Sequence, residues 1–212
     1  MDYQSEDEQL EGLKNWWKAN GTAVVFGVLL GLGLLFGFSY WKKYQNTQAD
    51  TASGLYQDVI ADIGQKNRDL AQATGGKLMA DYTATPYAAD AALLLAKDSF
   101  DAGDVVSARR QLQWVLDHGK DAGIAQVARL RLGRIMLSQN DFDAGLKLID
   151  VKDFGGFDSE YAELKGDLLA KKGQTEGARA AYLMALGSLS LHSPYSPILQ
   201  MKLDDLAPEK IK

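Results

Sequence analysis

The apolar positions of this chain fall into two regimes. From Ala19 to Trp41 it runs 23 residues without a charge, and the centre, Val24 to Phe38, is built of Val, Leu, Phe and Gly. As a helix rising about 1.5 Å per residue, such a run reaches about 34 Å, enough to cross a hydrocarbon core of about 30 Å. Trp16, Trp17 and Lys18 stand at one end, and Tyr40, Trp41, Lys42 and Lys43 at the other. Such residues suit the membrane–water interface, where aromatic rings settle at headgroup depth and lysines extend their ammonium groups into water. A buried helix of a soluble domain would need no anchors at both rims. The pattern predicts one transmembrane helix over 19–41, between an acidic tail (1–18) and a juxtamembrane linker (42–50).

Beyond the linker the pattern becomes helical and discontinuous. Proline falls only at Pro86, Pro194, Pro197 and Pro208, and almost no stretch alternates apolar and polar residues over strand length. Three segments superimpose: Leu95-Ala96…Gly103…Ala108…Leu112…Val115, Leu132-Gly133…Asn140…Gly145…Ile149…Lys152 and Lys165-Gly166…Gly173…Ala178…Tyr182…Ala185. Corresponding positions lie 37 and then 33 residues apart, the extra four fitting the loop at 118–123. The spacing resembles the tetratricopeptide repeat (TPR), a helix–turn–helix unit of about 34 residues. Small residues at Ala96, Gly133 and Gly166, and at Ala108, Gly145 and Ala178, let paired helices approach closely. Gly103, Asn140 and Gly173 suit a left-handed turn between them. Lys152 breaks the pattern, since a small core residue is expected there.

Residues 52–63 and 68–82 read as a further, worn pair split at Gly64. Thr85-Pro86 reads as an N-cap followed by proline at the first helical position. After the Pro194 and Pro197 break, Ile198, Leu199, Met201, Leu203 and Leu206 suit a short helix capping the last unit. The fold class is therefore all-α: an N-terminal single transmembrane helix, then a TPR-like α-solenoid of about three to four repeats over 51–192, then a capping helix and tail over 193–212.

Charge and composition narrow the chemistry. Residues 51–212 hold 19 Lys+Arg against 22 Asp+Glu, a mildly acidic balance without a basic stripe for nucleic acid. Cysteine is absent, and the two histidines, His118 and His192, have no metal-ligand spacing. Gly75-Gly76-Lys77 resembles the end of a phosphate-binding loop, but Ala71 and Leu78 stand where that motif needs glycine and Ser/Thr. No catalytic, cofactor or metal residues are therefore assigned, and no enzyme activity is expected.

A repeat domain of this kind offers a groove instead. Its non-core first-helix positions include Asp90, Leu93, Lys97 and Phe100; Val127, Leu130, Arg134 and Leu137; and Glu160, Glu163, Asp167 and Lys171. Of these, Lys97, Phe100, Leu130, Arg134, Leu137, Glu163 and Asp167 are the candidate groove, suited to an extended peptide or a partner helix. In the membrane segment, Gly27 with Gly31 and Gly33 with Gly37 are four apart and form candidate helix–helix seams on two faces. A self-associating structural protein held by such a seam is the alternative to an adaptor.

Orientation is open on charge. Lys14 and Lys18 precede the span, Lys42 and Lys43 follow it, so the basic count ties. The leader has two lysines against Asp2, Glu6, Asp7, Glu8 and Glu11, unlike the basic start of a cleaved signal peptide. The lack of cysteine and the short leader favour an exported C-terminal domain.

The leader through Glu8-Gln9-Leu10-Glu11 and Trp16-Trp17-Lys18-Ala19-Asn20-Gly21, with the glycine-rich anchor and worn repeats, resembles the YfgM family of Gram-negative bacteria over the whole chain. The resemblance implies a single-pass inner-membrane protein with a cytoplasmic N-terminus and a periplasmic C-terminal domain. It implies an ancillary role at the SecYEG translocon, pairing with a PpiD-type periplasmic chaperone, and help in handing translocating polypeptides to periplasmic chaperones. It also implies a link to envelope-stress signalling. That family has no agreed site motif, so no site residue is carried over.

Overall fold

The computed structural model describes residues 3–190 and 193–206, with the backbone alone for residues 3–9. His192, singled out above, lies outside them, as does the tail from residue 207. Among the described residues there are helices and no strands. In chain order they are α1 (Tyr3–Gly64), α2 (Arg68–Asp81), α3 (Pro86–Asp101), α4 (Val105–His118), α5 (Ala122–Ser138), α6 (Phe142–Leu148), α7 (Asp158–Lys171), α8 (Thr175–Ser188) and α9 (Ser196–Asp204).

The chain forms two units, residues 1–50 and 51–212. In the first, α1 is helical from Tyr3, so the described part of the acidic leader (3–18) and the expected linker at 42–50 are helical too. No proline interrupts this segment, and a run of Leu, Val and Phe costs a helix little in propensity. Its large apolar side chains, including Leu29, Leu30, Leu34, Leu35 and Phe36, are exposed, as a lipid-facing surface requires. It is the one helix among the described residues long and apolar enough to cross a membrane.

In the second unit, four turns share one geometry. Gly103, Asn140 and Gly173 have φ of 81°, 60° and 80°, as the repeat spacing requires, and Lys66 has φ of 63°. At each turn the left-handed residue donates to the carbonyl three positions back and the next residue donates five back. Examples are Gly103 N to Phe100 O at 2.9 Å with Asp104 N to Ser99 O at 2.8 Å, and Lys66 N to Ile63 O at 3.0 Å with Asn67 N to Asp62 O at 2.8 Å. These bonds satisfy carbonyls that a helix end leaves open. The end of α1 with α2 is thus a full first unit, its turn at Lys66 rather than Gly64. The others are α3/α4, α5/α6 and α7/α8.

The core is a row of clusters, each shared by neighbouring units, which is how a solenoid stays continuous. Ala52, Val59, Ala71, Leu78, Ala91 and Leu95 join α1, α2 and α3. Ala92, Ala96, Ala108, Leu112, Ala128, Leu132 and Ile135 join α3, α4 and α5. Leu130, Ile149, Tyr161, Leu164 and Leu168 join the α5–α6 unit to α7. Ala178, Tyr182, Ala185, Leu199 and Leu203 seat α9 on the last unit.

Two details depart from the sequence reading, and a third agrees with it. Helix α6 stops at Leu148, so Lys152 is not a core position of a second helix but an exposed residue of the following loop. Gln126 donates to the Asp153 carbonyl at 2.9 Å and fastens that loop. Thr85 precedes α3 in an extended conformation, yet its hydroxyl donates back to the Tyr82 carbonyl at 2.8 Å and does not cap the helix. Gly75 and Gly76 lie inside α2, where Gly75 faces Leu95 of α3, so the Gly75-Gly76-Lys77 run is a helix crossing.

Candidate functional site

The first helices of the second and third units, α3 and α5, bring together three of the seven groove candidates. Lys97, Phe100 and Arg134 line one cavity of about 300 Å³, with Ala96, Leu112, Ile135 and Arg131. Ala96, Leu112 and Ile135 are core residues that show one edge there, so the floor is apolar and fixed by packing. Phe100 is 43% exposed, a large ring kept at the cavity although it gains only partial burial. Lys97, Arg131 and Arg134 place three cations on the rim.

Their partners differ. Lys97 pairs with exposed Asp101 at 2.5 Å, four residues on along α3, a contact of small worth in water. Arg131 donates to the Leu93 carbonyl at 3.4 Å, and among the described residues no carboxylate lies within ion-pair reach of it. Arg134, half exposed, reaches Glu163 only at 4.0 Å. Arg131 was missed in the sequence because it stands next to core positions. Its spacing of three from Arg134 was the available signal, since residues three apart share a helix face.

The other four candidates have different surroundings. Leu130 is 3% exposed and belongs to the core between α5 and α7, so it is not a groove residue. Leu137 is partly buried against the same cluster. Glu163 and Asp167, one turn apart on α7, are engaged by α9. Lys202 donates to Glu163 at 2.7 Å and to both carboxylate oxygens of Asp167 at 2.7 Å. Tyr195 donates to Glu163 at 2.8 Å and Tyr182 to Asp167 at 2.7 Å. Burial alone would pull the Lys202 pKa down, but the hydrogen bonds it donates to Asp167 and Glu163 outweigh it and hold it above the ordinary lysine value. The acidic end of the first-helix face is therefore satisfied internally, while its basic part around Phe100 stays open.

A second hollow, about 650 Å³, opens where α6 ends early, lined by Leu146, Ile149, Val151, Phe154, Tyr161 and Met184 among others. In the first unit, a Cβ added at Gly27, Gly31, Gly33 or Gly37 would meet no atom within 4 Å. Among the described residues no three His, Cys, Asp or Glu side chains are grouped to hold a metal ion. The cavity between α3 and α5 thus combines an apolar floor with cationic donors on its rim.

Comparison with known proteins agrees with the repeats. Residues 14–208 match the family described as a tetratricopeptide repeat-like domain. The chain is 33% identical over 205 residues to the "Ancillary SecYEG translocon subunit" of Escherichia coli (strain K12), covering 97% of this chain and 98% of that protein. A protein of the same name from Neisseria gonorrhoeae is 32% identical, covering 95% and 97%. One from Haemophilus influenzae is 28% identical, covering 97% and 100%.

Proposed function

Because the chain belongs to the family of ancillary SecYEG translocon subunits, with their tetratricopeptide repeat-like body, we propose that it is a non-catalytic adaptor at the translocon. Residues 19–41 cross the bacterial inner membrane once, residues 1–18 face the cytoplasm, and the repeats of residues 51–192 work in the periplasm. There the repeats bind a PpiD-type membrane-anchored chaperone and help pass translocating polypeptides to other chaperones. The Gly27/Gly31 and Gly33/Gly37 flanks are the surfaces offered to neighbouring membrane helices. Tethering raises effective concentration, so weak groove contacts suffice for such a role.

The observation that carries this reading is the reach of the likeness: 97% of the chain aligns with 98% of a named relative, so anchor and repeats correspond together. Its test is topology joined to association. Protease added to intact spheroplasts is expected to digest a C-terminally tagged repeat domain, and the full-length protein purified in mild detergent is expected to bring SecYEG with it. Protection of the domain until lysis, or a pure homo-oligomer without SecYEG, would overturn the adaptor role.

A further inference from the structure

The cavity between α3 and α5 holds cations where an apolar anchor alone would need none. Arg131 and Arg134, three apart on α5, flank the floor formed by Ala96, Leu112 and Ile135, with Lys97 and the exposed Phe100 ring on the facing helix. Glu163 cannot neutralise Arg134 fully. It already holds Lys202 at 2.7 Å and Tyr195 at 2.8 Å, against 4.0 Å to Arg134. The guanidinium groups at this cavity therefore keep donors for an incoming carboxylate.

We propose that this cavity binds an extended peptide segment through a large apolar side chain next to an Asp or Glu. The apolar side chain enters against Phe100 and Ile135, and the carboxylate is received by Arg131 and Arg134. At about 300 Å³ the cavity has the size of a small ligand pocket, enough for one or two side chains and too small for a helix face. Like charge turns away a segment carrying Lys or Arg at that place. The inference rests on the groove being a binding surface, and it adds which segments that surface selects.

The test uses the full-length protein in detergent micelles and fluorescent dodecapeptides blocked at both ends, read by anisotropy. A peptide with Leu-Glu-Phe at its centre is expected to bind about tenfold more tightly than its Leu-Gln-Phe twin, the scale of a charge-assisted hydrogen bond. The Leu-Lys-Phe and Ala-Glu-Ala versions are expected to bind more weakly still. Arg134→Gln is expected to erase the Glu-over-Gln preference, and Arg134→Lys to keep part of it, in proteins whose thermal melts match the parent. Phe100→Ala is expected to weaken both peptides alike. Equal binding of the Glu and Gln peptides, or a preference that survives Arg134→Gln, overturns the proposal. So does tighter binding of a neutral peptide with a free C-terminus, which would make the ligand a chain end. SecYEG co-purification is followed on the same preparations. If it is absent while the acidic preference holds, the translocon role fails and this inference stands; if it is present without the preference, the reverse is true.

Discussion

Tyr182 fixes how much room its neighbours have. Its ring lies over Gly166, where an added Cβ would stand 2.4 Å from Cε1 and 2.5 Å from Cδ1, and its hydroxyl is pinned to Asp167 at 2.7 Å. A rigid, tethered ring has no cheap escape. Gly166→Ala is therefore expected to destabilise the fold by about 1–3 kcal/mol, read as a lower urea midpoint at unchanged slope. Gly76, in the interior of α2 with nothing within 4 Å of its would-be Cβ, behaves oppositely. Gly76→Ala is expected to stabilise by about 0.5–1 kcal/mol, because only the unfolded chain loses freedom. At this scale the sequence was readable wherever sterics leave one answer. Gly166 and Gly133 repeat in register because large side chains, Tyr182 and Leu164, occupy the space a Cβ would take. Gly103 and Gly173 repeat because the turn needs positive φ. Lys66 makes the same turn without the residue type that announces it, so the sequence points to Gly64 for a break that lies at Lys66.

The capping helix shows where element-level reading ends. Its apolar spacing was legible, and Leu199 and Leu203 are buried, while Ile198 and Met201 remain 40% and 58% exposed. The cation between them was not. Lys202 meets Glu163 and Asp167, 39 and 35 residues earlier, and no local pattern encodes a pairing at that distance. The carboxylates accordingly read as groove, whereas α9 covers them. Glu163 is only 6% exposed at its side chain, so removing the lysine leaves a buried acid short of its cation. Lys202→Met is expected to cost about 1–3 kcal/mol and to speed hydrogen exchange in α9 before the rest of the domain. The pH dependence has a definite sign. A lysine whose folded pKa is raised contributes stability that is complete below its unfolded value of about 10.4 and is lost as pH rises through the folded one. Tyr182 and Tyr195, raised by burial first and then by their carboxylate partners, add to the same alkaline decline above about pH 10. In Lys202→Met that decline should be shallower, while stability between pH 6 and 9 should stay flat as in the parent, at a lower level.

At the scale of the whole chain, the two units answer to different solvents. Among the described residues, every core cluster of the repeats is made of residues from Ala52 onward. The first unit has the converse pattern, with Leu, Val, Phe and Trp side chains exposed along α1 and, among its residues 10–50, only Gly21 buried. Such a surface is stable in lipid and a liability in water. The repeats, by contrast, are closed at one end by the α1 segment that carries Ala52 and Val59 and at the other by α9, as a water-soluble solenoid needs. The 19 basic and 22 acidic residues of the segment 51–212 suit a hydrated surface. A site-specific protease sequence inserted between Asp50 and Thr51 should therefore leave the protein in the membrane fraction until cleavage. After it, residues 51–212 should pass to the soluble fraction, keep their helical circular dichroism, and unfold in one cooperative transition. The remaining 1–50 fragment should stay with the membrane even after a carbonate wash. A released domain that aggregates or melts without cooperativity would mean that the anchor supplies part of the repeat core.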